Sequence, residues 1–303
     1  MNNKVVIIGC GNVGMSYAYS LLNQKTFVNE LVLIDINEKK AQGEAMDLNH
    51  GLAYSPSKIN IYACNYSDCH DAKIVVISAG ANQKEDETRM DLIYKNNSIF
   101  KDIISSVMNS GFNGIFIIAT NPVDVLTYQT WKFSGLEHKK VIGTGTTLDT
   151  ARLRFEISDA ININTKNIHA YVLGEHGDSE FVSWSNSSVG VSDIDEYLSK
   201  EEQNEIENNV RNAAYNIINK KGNTSYGIGM SLTRITNAIL GDENTILTVS
   251  SYDENLNVFI GEPTIINKDG VYKKIKLNLT NEEQIKFNNS YKILKEAIEK
   301  IKE

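Results

Sequence analysis

The stretch Gly174-Glu175-His176-Gly177-Asp178 sets one histidine between glycines, and a histidine can carry a proton to or from a reacting oxygen near neutral pH. It follows the apolar run His169-Ala170-Tyr171-Val172-Leu173, which reads as a strand, so His176 sits in the turn at a strand end. A histidine beside glycines is most often a plain surface-turn residue. Its company argues for more. Asp149 and Arg152 stand three apart in Leu148-Asp149-Thr150-Ala151-Arg152-Leu153-Arg154, so on a helix they share a face. A second arginine, Arg89, ends the polar stretch that begins at Ala79. Two arginines and an aspartate from separate segments could thus converge on His176.

A second constellation opens the chain. Gly9-Cys10-Gly11-Asn12-Val13-Gly14 fits G-x-G-x-x-G, directly after the apolar run Lys4-Val5-Val6-Ile7-Ile8 and at the start of a helical pattern. Glycines here allow a tight turn, close approach of backbone to a pyrophosphate and close helix–strand packing, with the helix N-terminus facing the phosphates. Asp35 ends the second apolar run, 21 residues after Gly14. A carboxylate at that place accepts hydrogen bonds from ribose hydroxyls and repels a 2′-phosphate, which selects NAD over NADP.

The elements that must position these groups follow from the texture of the chain. Strands are expected at Lys4–Ile8, Leu31–Ile34, Ile59–Tyr62, Ile74–Ile77 and Ile115–Ile118, with Val141–Gly143 as a last edge. Helices are expected between them, over Gly14–Asn23 and from Lys40 to Leu48 among others. Continuous β-branched runs separated by helices signal a parallel sheet covered on both faces, the doubly wound α/β pattern. In such sheets ligands collect at the carboxyl ends of the strands, where Ala79–Arg89 and Ala119-Thr120-Asn121-Pro122-Val123-Asp124 lie. After about residue 144 the pattern changes to an α+β mixture. Helices are expected over Asp149–Ala160, Glu201–Lys220, Ile228–Leu240 and from Asn281, with strands at Thr245–Val249 and Asn257–Ile260. The expected division is 1–144 for the dinucleotide-binding domain and 145–303 for a substrate domain. No linker rich in Pro, Gly or Ser separates them, so they should pack tightly.

Composition narrows the function classes. With 41% hydrophobic residues the 303-residue chain can build a proper core. A net charge of −8 argues against a nucleic-acid partner, which would want a basic face. The three cysteines, Cys10, Cys64 and Cys69, lack metal-ligand spacing and read as reduced thiols of a cytoplasmic protein. No apolar run is long enough to span a membrane, and the strand expected from Lys4 leaves no room for a signal peptide.

Taken together, the Gly9–Gly14 loop, Ala79–Arg89, Ala119–Asp124, Leu148–Arg154 and Gly174–Asp178 closely resemble the NAD-dependent L-lactate dehydrogenases of bacteria, within the lactate/malate dehydrogenase superfamily. The likeness runs from Val5 to beyond Ile260. It implies a Rossmann domain followed by an α+β catalytic domain, and reversible hydride transfer between NADH and pyruvate. By that resemblance Arg152 binds the substrate carboxylate as a two-pronged fork. His176 is the proton donor and acceptor, Asp149 holds its ring and favours the imidazolium, and Arg89 polarises the carbonyl. Gln83, in Ala81-Asn82-Gln83-Lys84, faces the substrate side chain. Malate dehydrogenases carry an arginine there for a second carboxylate, so Gln83 points to the lactate branch.

The resemblance also places Asn121 on the reacting oxygen, with Asn121-Pro122 a cis bond, and Thr224 against the substrate and nicotinamide. Cofactor contacts are implied for Gly9, Gly11, Asn12, Val13, Gly14, Asp35, Lys40, Tyr66, Gly80, Ala81, Ala119, Thr120, Asn121 and Thr144. Arg154 and His169 match positions where some bacterial relatives bind fructose 1,6-bisphosphate between subunits, and arginine with a protonatable histidine suits a phosphate. A homotetramer serving glycolytic fermentation is implied too. Two departures stand out. The family's Gln-Lys-Pro-Gly is here Gln83-Lys84-Glu85-Asp86, and Val189–Gln203 is a few residues short. The alternatives are a dehydrogenase of malate or of another 2-hydroxy acid and, in a different class, a catalytically dead NAD-binding module.

Overall fold

The computed structural model describes residues 2–81 and 89–302, except the side chains of 89–91 and 302. Strand β1 (Lys4–Ile8) is buried at every position, as a run of Val and Ile inside a two-faced sheet must be. Its neighbours are β2 (Glu30–Ile34) on one side and β4 (Ile74–Ile77) on the other, both parallel. Strand β3 (Asn60–Ala63) lies beyond β2, and β5 (Ile115–Ile118) and β6 (Val141–Gly143) beyond β4. The parallel order β3-β2-β1-β4-β5-β6 is that of a doubly wound dinucleotide fold, as the apolar runs predict. Helices α1 (Asn12–Asn23), α2 (Glu38–Gly51), α3 (Arg89–Asn109) and α4 (Val123–Ser134) make the crossovers.

Side chains along β1 alternate between two cores. Val5 and Ile7 join one cluster, and Val6 and Ile8 the other. Burying each such side chain contributes about 1.5–3 kcal/mol. An exposed ion pair such as Lys200–Asp195 contributes roughly 0–1 kcal/mol, so the sheet core dominates the stability.

Helix α5 (Thr147–Ile161) opens the second half. It is followed by five two-residue strands: β7 (Ile168–His169), β8 (Val172–Leu173), β9 (Phe181–Val182), β10 (Ser188–Val189) and β11 (Ser192–Asp193). The single strand expected from His169 to Leu173 is split. Strand β7 pairs with β10, whereas β8 pairs with β9, so the chain changes sheets around Ala170 and Tyr171. Helices α6 (Lys200–Lys221) and α7 (Tyr226–Leu240) follow, then β12 (Thr245–Asp253), β13 (Val258–Asn267), β14 (Gly270–Lys274) and α8 (Asn281–Lys302).

The expected edge at Val141–Gly143 is an interior strand instead. Strand β12 pairs antiparallel with β6 through Ser250 and Gly143, and β13 and β14 continue the sheet to nine strands. That pairing joins residues more than a hundred positions apart, which no local pattern displays. The halves interlock further. Helix α7 packs on α1, with Tyr17 and Thr236 hydroxyls 2.6 Å apart in the core. Helix α8 lies on the opposite face, its Leu294 and Ile298 in one cluster with Val6 and Phe100. No helix among the described residues is long and apolar enough to cross a membrane.

Candidate active site

The carboxyl ends of the parallel strands gather the first set of expected residues. Gly9 leaves β1 with φ +104°, a conformation that favours glycine. A Cβ on Gly14 would collide with the Gly9 carbonyl oxygen, so the first turn of α1 needs glycine to close on the loop. Gly11 differs. It is exposed and precedes α1 without a side-chain cap, and a Cβ there would meet nothing within 4 Å. The open space beside an uncapped helix N-terminus fits an approaching pyrophosphate. Asn12 is exposed and Val13 half-buried on the first turn of α1.

Asp35, at the end of β2, accepts hydrogen bonds from Cys10 N (2.7 Å) and Asn37 N (2.9 Å), which fixes its carboxylate beside the loop. Lys40 is exposed on α2, and Tyr66 is half-buried in a short turn, its phenol pushed up by burial. Gly80 and Ala81 follow β4, Ala119–Asn121 follow β5 and Thr144 follows β6. The Thr120 hydroxyl donates to Ala79 O (2.8 Å), tying two of these ends together. Thr144 N donates to Ile118 O. Asn121 is exposed, and the Asn121-Pro122 bond is cis.

The second set meets at His176. Asp149 and Arg152 share the first turns of α5, as their spacing predicts. Asp149 Oδ1 accepts from Arg152 Nη1 at 2.8 Å, and Asp149 Oδ2 lies 2.7 Å from His176 Nδ1. The aspartate side chain is 1% exposed and the histidine 25%, so the pair is buried at the carboxylate and open at the imidazole. Burial opposes the charged forms, but the mutual attraction and hydrogen bond overcome it. Asp149 is held below its ordinary range by His176 and Arg152, and His176 well above 6.5. With Nδ1 engaged by Asp149, Nε2 is the ring nitrogen left for a ligand. The site therefore holds an imidazolium aimed outward and a guanidinium within one helical turn of its partner. That arrangement can protonate an oxygen and bind a carboxylate.

Thr224 is half-buried between α6 and α7. Gln83 lies outside the described residues, as does the side chain of Arg89, whose backbone opens α3. Arg154 Nε donates to Ala170 O (3.3 Å) and its guanidinium lies over Tyr171, 5.5 Å from the ring centroid. His169, expected to hold a phosphate together with Arg154, is exposed at the end of β7.

Four buried residues of the site escaped the sequence reading. Asp124, 2% exposed, accepts from the His176 backbone N–H at 2.8 Å, and burial pushes its carboxyl to about 6. Glu180, 6% exposed, stands 3.8 Å from His176 Nδ1. Burial and the Asp149 charge push its carboxyl to about 7. Ser290 on α8 accepts from Glu175 N (2.6 Å) and so braces the histidine turn from the last helix. Asn96 on α3 is fully buried between the ends of β4 and β5. Asp124 and Glu180 lie inside or beside quoted motifs, but nothing in their spacing says that their side chains turn inward. For Asn96 and Ser290 no sequence signal exists.

Comparison with known proteins gives a consistent result. Residues 3–143 match the NAD binding domain of lactate/malate dehydrogenase, and residues 146–303 match its alpha/beta C-terminal domain. The chain is 51% identical to L-lactate dehydrogenase 2 of Bacillus cereus over 98% of its own length and 97% of that protein. Among solved structures it is similar to a lactate dehydrogenase enzyme from a Medee basin deep-sea metagenome library. The TM-score is 0.97 at 53% identity, covering 100% of this chain and 99% of that one. It is likewise similar to the minor L-lactate dehydrogenase of Enterococcus mundtii in its ligands-bound form. There the TM-score is 0.97 at 45% identity, covering 99% and 98% of the two chains.

Proposed function

This chain belongs to the lactate/malate dehydrogenase family, and from that premise we propose that it is an NAD-dependent L-lactate dehydrogenase that interconverts pyruvate and L-lactate. The observation that carries the reading is the Arg152–Asp149–His176 chain, with its buried carboxylate and outward imidazole. The G-x-G loop, the α1 N-terminus and Asp35 would hold the dinucleotide, which when bound supplies or accepts the hydride. The free guanidinium edge of Arg152 takes the substrate carboxylate. His176 donates its Nε2 proton to the ketone oxygen, and Asp149 stabilises the imidazolium until that transfer. In the lactate direction the neutral imidazole takes the proton back. Arg89 and Asn121 add positive charge and a hydrogen bond where the alkoxide develops. Gln83 faces the methyl group and Thr224 lines the substrate side.

Further parts of the reading rest on resemblance. They are a homotetramer, NAD⁺ regeneration in the cytoplasm during fermentation, and a division of the chain near 144/145. Activation by fructose 1,6-bisphosphate at Arg154 and His169 belongs with them.

The test is NADH oxidation with pyruvate, oxaloacetate and 2-oxoisocaproate side by side. Pyruvate should be preferred. Gln83→Arg should move the ratio of efficiencies toward oxaloacetate by several powers of ten, on the order of 10³, because an unpaired charge is costly in a closed site. A wild type that already prefers oxaloacetate would overturn the lactate reading.

A further inference from the structure

Asn96 sits in the middle of the strand-end cluster without facing solvent. It is 0% exposed. Its Oδ1 accepts from Ala81 N at 2.8 Å, and its Nδ2 donates to Asn121 O at 3.1 Å. One amide thereby joins three elements: α3, which carries it, the segment leaving β4, and the segment leaving β5. Two hydroxyls continue the same stitching. Ser78 donates to Gly9 O (2.9 Å) and Thr120 donates to Ala79 O (2.8 Å), so the ends of β1, β4 and β5 form one hydrogen-bonded row. Space is tight around it. A Cβ on Gly80 would collide with the Thr120 methyl and lie 3.3 Å from Asn96 Oδ1.

The chemistry of the amide matters as much as its place. A buried backbone N–H and a backbone carbonyl both need partners, and only a side chain with one acceptor and one donor serves both at once. Leucine would satisfy neither. Aspartate would satisfy Ala81 N but set a second acceptor against Asn121 O. A buried polar group left without its partner costs more than the bond itself contributes.

We propose that Asn96 is a positioning residue for the reaction: through Asn121 O it fixes the residue that reaches the reacting oxygen, and through Ala81 N it ties that residue to the end of β4. This rests on the dehydrogenase reading. Asn96 is fully buried, so it would act through the residues it bonds. Its effect passes through Asn121, whose carbonyl and side chain hang on one Cα, so a backbone shift there carries the side chain with it. A displacement of about 1 Å at such a group costs on the order of 100-fold in rate.

The experiment compares the full-length wild type with Asn96→Asp and Asn96→Ala. It measures kcat and KM for pyruvate, NADH affinity by fluorescence, amide hydrogen exchange at Ala81, and the thermal midpoint. Asn96→Asp should keep the Ala81 amide protected and NADH affinity near that of the wild type, while kcat falls by about 10–100-fold with little change in KM. Asn96→Ala should lose both the protection and the rate. A merely structural role would lower the thermal midpoint and leave kcat of the folded enzyme unchanged. Wild-type kcat in Asn96→Asp, assayed well below its midpoint, would therefore overturn the inference. A wild type without turnover on pyruvate would instead overturn the dehydrogenase reading and this inference with it.

Discussion

The cofactor loop and the histidine turn lie in the same molecule but are held by opposite means. Between Gly9 and Gly14 the work is done by backbone. Glycine permits φ +104° at Gly9 and close contact at Gly14, and the loop offers backbone groups to its neighbours: Gly9 N to Ile34 O, Cys10 N to Asp35, and Gly9 O to the Ser78 hydroxyl. Around His176 it is done by side chains from elsewhere. Asp149 comes from α5, Asp124 from α4, Ser290 from α8 by way of Glu175, and Arg211 from α6 reaches Glu180 O at 3.3 Å. A loop of the first kind can be written in six consecutive residues. A turn of the second kind exists only once distant helices have docked. The comparison makes a prediction: the first region should fail when atoms are added to it, and the second when single polar atoms are removed.

The largest effect is expected at the histidine itself. His176→Asn should lower kcat for pyruvate by at least about a hundredfold, the scale of general acid–base catalysis, with NADH affinity retained. Steady-state kinetics and fluorescence titration read the two quantities separately, and near-normal turnover would remove His176 from its role. Next comes Gly14→Ala, which adds one methyl group. The added carbon meets backbone rather than a side chain that could swing away, so it should cost about 1–3 kcal/mol of stability and weaken NADH binding about tenfold or more. Unchanged NADH affinity would mean that the loop tolerates added atoms.

Asp124→Asn tests the buried support of the turn. The Asp124 carboxyl stands at about 6 in the folded protein against 3.8 unperturbed, so between those values the folded state holds a proton that the unfolded state has released. Raising the pH through that window therefore costs the wild type stability. Asparagine does not titrate, and its carbonyl oxygen still accepts from His176 N. The thermal midpoint of the variant relative to wild type should rise by a few degrees from about pH 4 to about pH 7. A difference constant over that range would contradict the assignment.

The smallest effect is expected at Glu180. Its carboxylate adds negative charge near His176, so Glu180→Gln should lower the histidine's proton affinity. Pyruvate reduction needs the imidazolium, so kcat/KM falls as pH rises through the His176 pKa. In the variant that fall should begin at lower pH, by less than about one unit. A fall displaced to higher pH would reverse the sign and exclude this role.

Much of this was legible in the chain. That β1 to β6 form a parallel sheet follows from short β-branched runs, because a strand buried on both faces has no polar side to alternate with. The facing of Asp149 and Arg152 follows from helical spacing, and the glycine loop from its adjacency to β1. The histidine turn and its partner Asp149 were located, but the turn's other supports were not. Asp124 looks like a helix-initiating residue after proline, and Asn96 is one of two adjacent asparagines in an amphipathic helix.

The amino-acid sequence by itself determined what short range can encode: a dinucleotide loop, the helix that pairs an aspartate with an arginine, and a histidine at a strand end. Those features depend on backbone conformation and on residues within a turn of each other. Tertiary structure decided which polar groups face one another across the packed elements. It carried β12 to the flank of β6, split the run from His169 to Leu173 between two sheets, and buried Asp124, Glu180 and Asn96 against their partners. The physical reason is that desolvation and partnering, which set the charge of His176 and fix Asn121, arise from atoms brought together by folding and not from their order along the chain.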